Sequence, residues 1–294
     1  MAKKAITVAE QIQKLKDRGM LMDLGEEKAK EILLDIGYYR LGFYWNPFEI
    51  DEKHNFKKGT LFSNAVKLYY IDFDLRNLLL RYTNRIEINF RTKIIYHISN
   101  HYKNDPIWFT NPDYMSSYFI KNIDKGLYTE KFKEDNKQIK LHHQKHRNNK
   151  YAPVWKTFEY ITFGSLIFAY NSIKNIELQK KIAKESYGLN NLETFKNFIK
   201  TVKYIRNICA HGGVLFDVNL PKGIYKIPRV KFNNSNNQSL DASIKVVTYL
   251  LSKISTYRAD EFNTSVKKIL LEHKDNNVLN DIINNKVGYN TNLL

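Results

Sequence analysis

The stretch "LYYIDFDLRNLLLRYTNRIEINFRTKIIYHIS", residues 68–99, decides the fold class. Val66 just before it and Phe73, Leu79, Tyr82, Ile86, Phe90, Ile94 and Ile98 within it recur at spacings mostly of three, four or seven, the pattern of a helix with one buried face. Arg81, Arg85, Asn89, Lys93, His97 and His101 fall four apart, so they trace one polar stripe that drifts slowly round the same helix. A helix is predicted over about residues 60–103, ending before Asn104-Asp105-Pro106. One rod and a kinked pair both satisfy the pattern.

Helical signals continue on both sides. Thr7 with Glu10 has capping-box spacing, which starts a helix at about residue 8 that should run to Arg18 and stop at Gly19. A second is expected from Gly25 or Glu26 to Ile36, broken by Gly37. "IGYYRLGFYWNPFE" (36–49) reads as an irregular packed segment ended by Pro47, completing an N-terminal helical module over 1–58. A main helical domain over 59–273 should carry a basic insertion at about 121–150, where "KQIKLHHQKHRNNK" (137–150) has five Lys or Arg, three His and no acid. That insertion reads as a solvated, partly flexible segment. After Pro153 a helix should cover 154–173 with Gly164 inside it. Another is expected at 176–186, and a third at 191–211 with Asn191 as cap and Gly212-Gly213 as stop. Pro221 and Pro228 argue against helix, so 221–232 could form a minor β-hairpin or a loop. Helices return over about 240–257 and 260–273, and the Asn-rich tail, 274–294, is expected to fray. With neither βαβ alternation nor internal repeats, the chain is all-α.

Composition narrows the function. The chain has 294 residues, long enough for one large domain or two small ones, and its 43% hydrophobic and 26% charged residues are ordinary for a folded protein. Its 20 Tyr, 17 Phe and formal net charge of +17 are not ordinary, and favour a polyanionic partner. No run approaches the roughly 18 apolar residues of a spanning helix, and the charged N-terminus has no signal-peptide core, so a cytoplasmic protein with no membrane partner is expected. The single cysteine, Cys209, excludes an internal disulfide and a cysteine-based zinc site. Rings that stack on bases, together with cations that hold phosphates, suit nucleic acid.

Several candidate sites fail. Cys209 and His211 project about 200° apart on a helix, so they would not meet as a nucleophilic pair. His142 and His146 lie one turn apart but lack a nearby carboxylate or cysteine, so no metal is expected. No phosphate-cradling glycine loop is present. "YIRNICAHGG" (204–213) is the remaining candidate. Asn207 and His211 share one helix face, and the long Arg206 stem can swing towards it. His211 falls in the last turn, where the helix dipole favours a cation. A histidine that moves a proton and an arginine that holds a phosphate suit phosphodiester chemistry, with Asn207 orienting either one. A capping His beside a surface Arg would give the same hexapeptide.

Several ordered blocks supply further context. "LKDRGMLM" (15–22), "ILLDIGYYRLGFYWNPF" (32–48), the 68–99 stretch, "PVWKTFEYITFGSLIFAY" (153–170) and "YIRNICAHGGVLFD" (204–217) resemble the blocks of the abortive-infection family of phage-defence proteins, of AbiD and AbiF type. Such proteins are similar to the HEPN helical ribonucleases, whose motif of Arg, a polar residue, several others and His carries over as Arg206, Asn207 and His211. The resemblance implies an HEPN-like helical bundle and RNA cleavage without metal or cofactor, leaving a 2′,3′-cyclic phosphate and a 5′-hydroxyl. It also implies a homodimer whose two motifs face each other. One departure is the paired glycine after the histidine, where relatives often carry a second histidine. Arg91 and His97 also fall within the motif spacing, but Thr92 follows the arginine and Glu87 lies one turn before it, which favours a structural ion pair. RNA is expected to lie along Arg81, Arg85, Lys93 and His97 and on the basic Lys140, Lys145 and Arg147. The alternative is a non-catalytic protein of the same fold that holds a structured RNA.

Overall fold

In the computed structural model, which describes residues 4–290, three short helices lead into one long one. They are α1 (Val8–Asp17), α2 (Glu26–Asp35) and α3 (Tyr38–Trp45), followed by α4 (Phe62–His101). The capping box of α1 is present: Glu10 N–H donates to Thr7 Oγ1 at 3.3 Å and Thr7 N–H to Glu10 Oε2 at 2.6 Å. The aromatic segment predicted as irregular is the helix α3. Leu41, Tyr44 and Trp45 turn inward within about one helical turn while Tyr39 and Phe43 stay outside, so the helix is hidden because its outward residues, Arg40 apart, are as apolar as its inward ones.

The rod α4 is unbroken over 40 residues, about 60 Å. Leu75, Leu79, Ile86, Phe90, Ile94 and Ile98 are fully buried, whereas Phe73 lies on the outer face. Phe90 sits at the centre of the core, with ring centroids 6.4, 5.2 and 5.7 Å from those of Phe163, Tyr170 and Phe195.

Beyond α4 come α5 (Ser117–Asn122), α6 (Glu130–Asp135), α7 (Lys137–Lys145), α8 (Val154–Tyr160), α9 (Phe163–Asn171), α10 (Ile176–Tyr187) and α11 (Leu192–Ala210). Then follow α12 (Leu240–Ile254), α13 (Thr256–Leu271) and α14 (Asn277–Ile282). The architecture is all-α. Helix α11 packs along α4, and α12 and α13 form a hairpin joined at Ser255 that also lies on α4. Among the described residues, no helix is long and apolar enough to cross a membrane.

Three local expectations are corrected and a fourth is refined. The hairpin at 221–232 is absent: a lone antiparallel bridge joins Ile227 to Val230, and the prolines remove the donors a ladder would need. The helix across 154–173 is two, because Ile161 is extended and Thr162 caps α9 by accepting from Ser165 N–H at 3.1 Å. The tail to residue 290 is packed, with Leu279, Ile283 and Val287 buried and Asn276 donating to Asn64 Oδ1 at 2.8 Å; residues 291–294 lie outside the described residues. The basic segment is solvated along most of its length as expected, but it is largely helical, and α7 turns Ile139 and His142 inward.

That burial has a consequence for pH. Burial, and then the charges of Lys156, His146 and His143, hold the His142 pKa below the usual 6.5. The unfolded chain therefore binds this proton more readily, so the contribution of His142 to stability is present above pH 6.5 and is lost as pH falls below it. Corrected amide exchange across 137–145 should accelerate between neutral pH and about pH 5.5. Equal protection at both would contradict this.

Candidate active site

Helix α11 is set by its ends and one face. Asn191 caps it by accepting from Thr194 N–H at 2.9 Å, and Phe195, Phe198, Val202, Ile205 and Cys209 bury its inner stripe. At the other end Gly213 N–H donates to Ile208 O at 2.8 Å and Gly212 N–H to Cys209 O at 3.3 Å, the paired bonds of a Schellman turn. Gly212 has φ +66°, which favours glycine, and a Cβ on Gly213 would lie 2.8 Å from Ile208 Cγ2. The two glycines are thus what stops the helix directly after His211.

The chain beyond the turn is held by a buried strut from α4. Asp72, fully buried, accepts from Leu215 and Phe216 N–H at 2.9 and 2.7 Å through Oδ1. Its Oδ2 accepts from Tyr44 Oη at 2.9 Å and Arg76 Nη1 at 2.6 Å. Arg76 also donates to Gly213 O at 3.2 Å. One carboxylate and one guanidinium therefore fix residues 213–216, and with them the exit from His211.

At the helix end, Arg206 Nη1 donates to Asn207 Oδ1 at 3.3 Å, and Arg206 Nε lies 3.5 Å from Glu87 Oε2. Glu87 is buried, and its Oε1 accepts from Arg91 Nη2 at 3.0 Å. It therefore stands between two guanidinium groups. The Arg206 side chain keeps 31% of its surface exposed, while that of Glu87 keeps 10%. His211 is exposed, and its imidazole makes no hydrogen bond or ion pair among the described residues. Burial pushes the Cys209 thiol up to about 12, so it is no nucleophile near neutral pH.

Two cations missing from the sequence reading lie on this side of the fold, Arg40 beside Gly212 and Lys203 about 12 Å before His211, its Nζ 3.5 Å from where a Gly164 Cβ would sit. Lys203, Asn207 and His211 are four apart and share a face of α11. Arg40 of α3 brings Nη2 within 3.9 Å of the position a Gly212 Cβ would take, with its guanidinium 5.9 Å from the Tyr44 ring. The four-residue spacing could have found Lys203. A lone arginine among aromatics was the only sign of Arg40. Anion binding and proton transfer are both within reach of this end.

The other expected residues are dispersed. Arg91 is structural: its Nη1 donates to the Phe158 and Ile161 carbonyls, the latter at 3.0 Å, where α8 gives way to α9. The α4 stripe is not one open face, because α10 and α13 pack beside it. Arg81 is exposed but 3.5 Å from Glu261 of α13, and Arg85 and Lys93 are half-buried. Asn89 accepts from Tyr187 Oη at 2.9 Å, and His97 lies 3.9 Å from Glu185, its pKa lowered chiefly by burial. Lys140 pairs with Glu134 at 2.6 Å, and with Arg147 it lines a cavity of about 520 Å³. Lys145 is the last residue of α7 and is exposed. The His142 and His146 rings lie 4.8 Å apart, and among the described residues no three His, Cys, Asp or Glu groups cluster as metal ligands.

No curated protein and no solved structure is significantly similar to this chain. The family model for Abi-like proteins matches residues 31–217, well over half of the sequence, from α2 through α4 to the turn that the buried strut holds, and the chain belongs to that family.

Proposed function

We propose that this protein is a metal-independent endoribonuclease of HEPN type acting in abortive-infection defence against phage. The observation that carries the reading is the exposed imidazole of His211, bonded to no described residue, at a helix end where Arg206 lies against Glu87. In the reaction the RNA 2′-oxygen attacks the adjacent phosphorus and the bond to the 5′-oxygen breaks. A neutral His211 takes the 2′-hydroxyl proton, and an imidazolium returns one to the leaving oxygen. Arg206 holds the phosphate oxygens and offsets their developing charge, while Asn207 orients the guanidinium. Two histidines are needed at once, and a homodimer with facing motifs supplies them. Arg40 and Lys203 add phosphate contacts, and Lys140, Lys145 and Arg147 extend the path of the RNA.

The first test is incubation with labelled single-stranded RNA in EDTA, after co-purifying nucleic acid has been stripped away. Products with 2′,3′-cyclic phosphate ends are expected from the wild type. Binding that weakens steeply with salt and yields no products would favour the second reading, a protein that holds a structured RNA, for which the +17 charge speaks.

Glu87 supplies a further prediction. Glu87→Gln still accepts from Arg91 but loses its charge attraction for Arg206. Cleavage should fall about a hundredfold through misplacement of the guanidinium. The melting temperature should drop by several degrees because the buried Arg91 loses its countercharge, so rates are compared well below it. Full activity in this variant would remove Glu87 from the site.

A further inference from the structure

A cavity of about 750 Å³ opens between α12, α13, the 228–231 turn and Tyr289. It is not the candidate active site. Tyr249, on its wall, packs against Phe198, whereas His211 ends the same helix more than three turns, about 20 Å, further on.

Its charge pattern is one-sided. Arg229, Lys231, Lys253 and Lys267 all line the cavity, and none makes an ion pair with a described residue. The one acid on the wall, Asp241, is buried and already lies 2.7 Å from Lys245, which also donates to Asn233 Oδ1 at 2.9 Å. Some surface lysines elsewhere pair with acids three residues away, as at Lys28, Lys133 and Lys180. The excess of 47 Lys and Arg over 30 Asp and Glu still leaves many without a partner, and what sets these four apart is their convergence on one cavity. Four cations without a carboxylate partner line one concavity, Lys253 also lying 5.2 Å over the Tyr249 ring, and together they focus a positive potential inward. The remaining wall mixes the apolar and aromatic Ile244, Val266, Tyr249 and Tyr289 with the polar Thr248, Ser252, Asn263 and Thr264. That combination suits a ligand with a polyanionic end and a flat ring, and the volume falls within the roughly 300–1,000 Å³ typical of small-molecule sites.

We propose that this cavity binds a nucleoside polyphosphate, its phosphates on Arg229, Lys231, Lys253 and Lys267 and its base against Tyr289 and Ile244. This site is separate from RNA cleavage and goes beyond it, so each can fail without the other. Helix α12, which forms one wall, packs directly on α11, so occupancy bears on the helix that carries His211.

Calorimetric titration of the full chain, stripped of nucleic acid, would use ATP and GTP separately, without divalent cations, at about 150 mM salt. Inorganic triphosphate and single-stranded RNA serve as comparison probes. Saturable binding of at least one nucleotide to one site per chain is expected. Lys253→Gln and Lys267→Gln should each weaken it about tenfold, and His211→Ala should leave it unchanged. Both lysines reach the cavity from the surface, so a melting curve shows whether each variant is folded. Absence of binding by both nucleotides at millimolar concentration would overturn the proposal. So would triphosphate binding as tightly as the nucleotides, which removes the base subsite. RNA that binds through the same lysines more tightly than either nucleotide would also overturn it, making the cavity part of an RNA track.

Discussion

Replacing His211 by alanine is expected to lower the rate of RNA cleavage by about 10²–10⁴-fold while leaving RNA binding and folding close to wild type. The asymmetry follows from where the side chain sits. The His211 imidazole is exposed and bonds to no described residue, so its removal leaves no buried group unpaired and no cavity. The turn that follows is built from backbone bonds of Gly212 and Gly213, which alanine at 211 does not disturb. Phosphate holding stays with Arg206, Lys203 and Arg40, so the dissociation constant should move little. Only proton transfer is lost. Gel-based rates, filter binding and a melting curve on the same preparation separate the three effects. Cleavage at the wild-type rate would move the chemistry away from this helix end.

The second large effect is on stability. Asp72→Ala should destabilise the fold by about 3–5 kcal/mol, because it removes one partner of a buried ion pair. Arg76 would keep its charge with no carboxylate opposite, and Leu215 and Phe216 N–H would lose their acceptor, each worth about 1–3 kcal/mol when buried and unmet. For a chain of this size the melting temperature should fall by about 10 °C. Below that temperature the variant should still cleave poorly, since the strut also fixes the exit from His211. Asp72→Asn keeps an acceptor for one backbone donor and should lose less. A melting temperature within a degree or two of wild type would show that the strut is dispensable.

Legibility in the sequence followed periodicity. Helices α4 and α11 are readable because their apolar residues repeat at helical spacing, and because Asn191 and Gly212-Gly213 mark where α11 starts and stops. Helix α3 is hidden because its outward residues, Tyr39 and Phe43, are as apolar as its inward ones. The break between α8 and α9 depends on Arg91, a residue of α4 far away in the chain, which takes the carbonyls that an unbroken helix would have used. Arg206, Asn207 and His211 could be named from spacing. The groups that hold them could not, because Glu87, Asp72 and Arg76 reach the motif only through tertiary packing. The same limit applies to the α4 stripe. Its four-residue spacing is visible, but the helices that pack beside it are not.

Cleavage by 2′-hydroxyl attack is tested most directly at a single bond. Once a cut site is mapped in a short RNA, one 2′-deoxynucleotide is placed on its 5′ side, and the wild type is incubated with it in EDTA. The expected result is loss of cleavage at that bond alone, with cuts elsewhere still ending in 2′,3′-cyclic phosphate. Continued cutting at the deoxy position would contradict the mechanism, because the nucleophile would then come from water or protein.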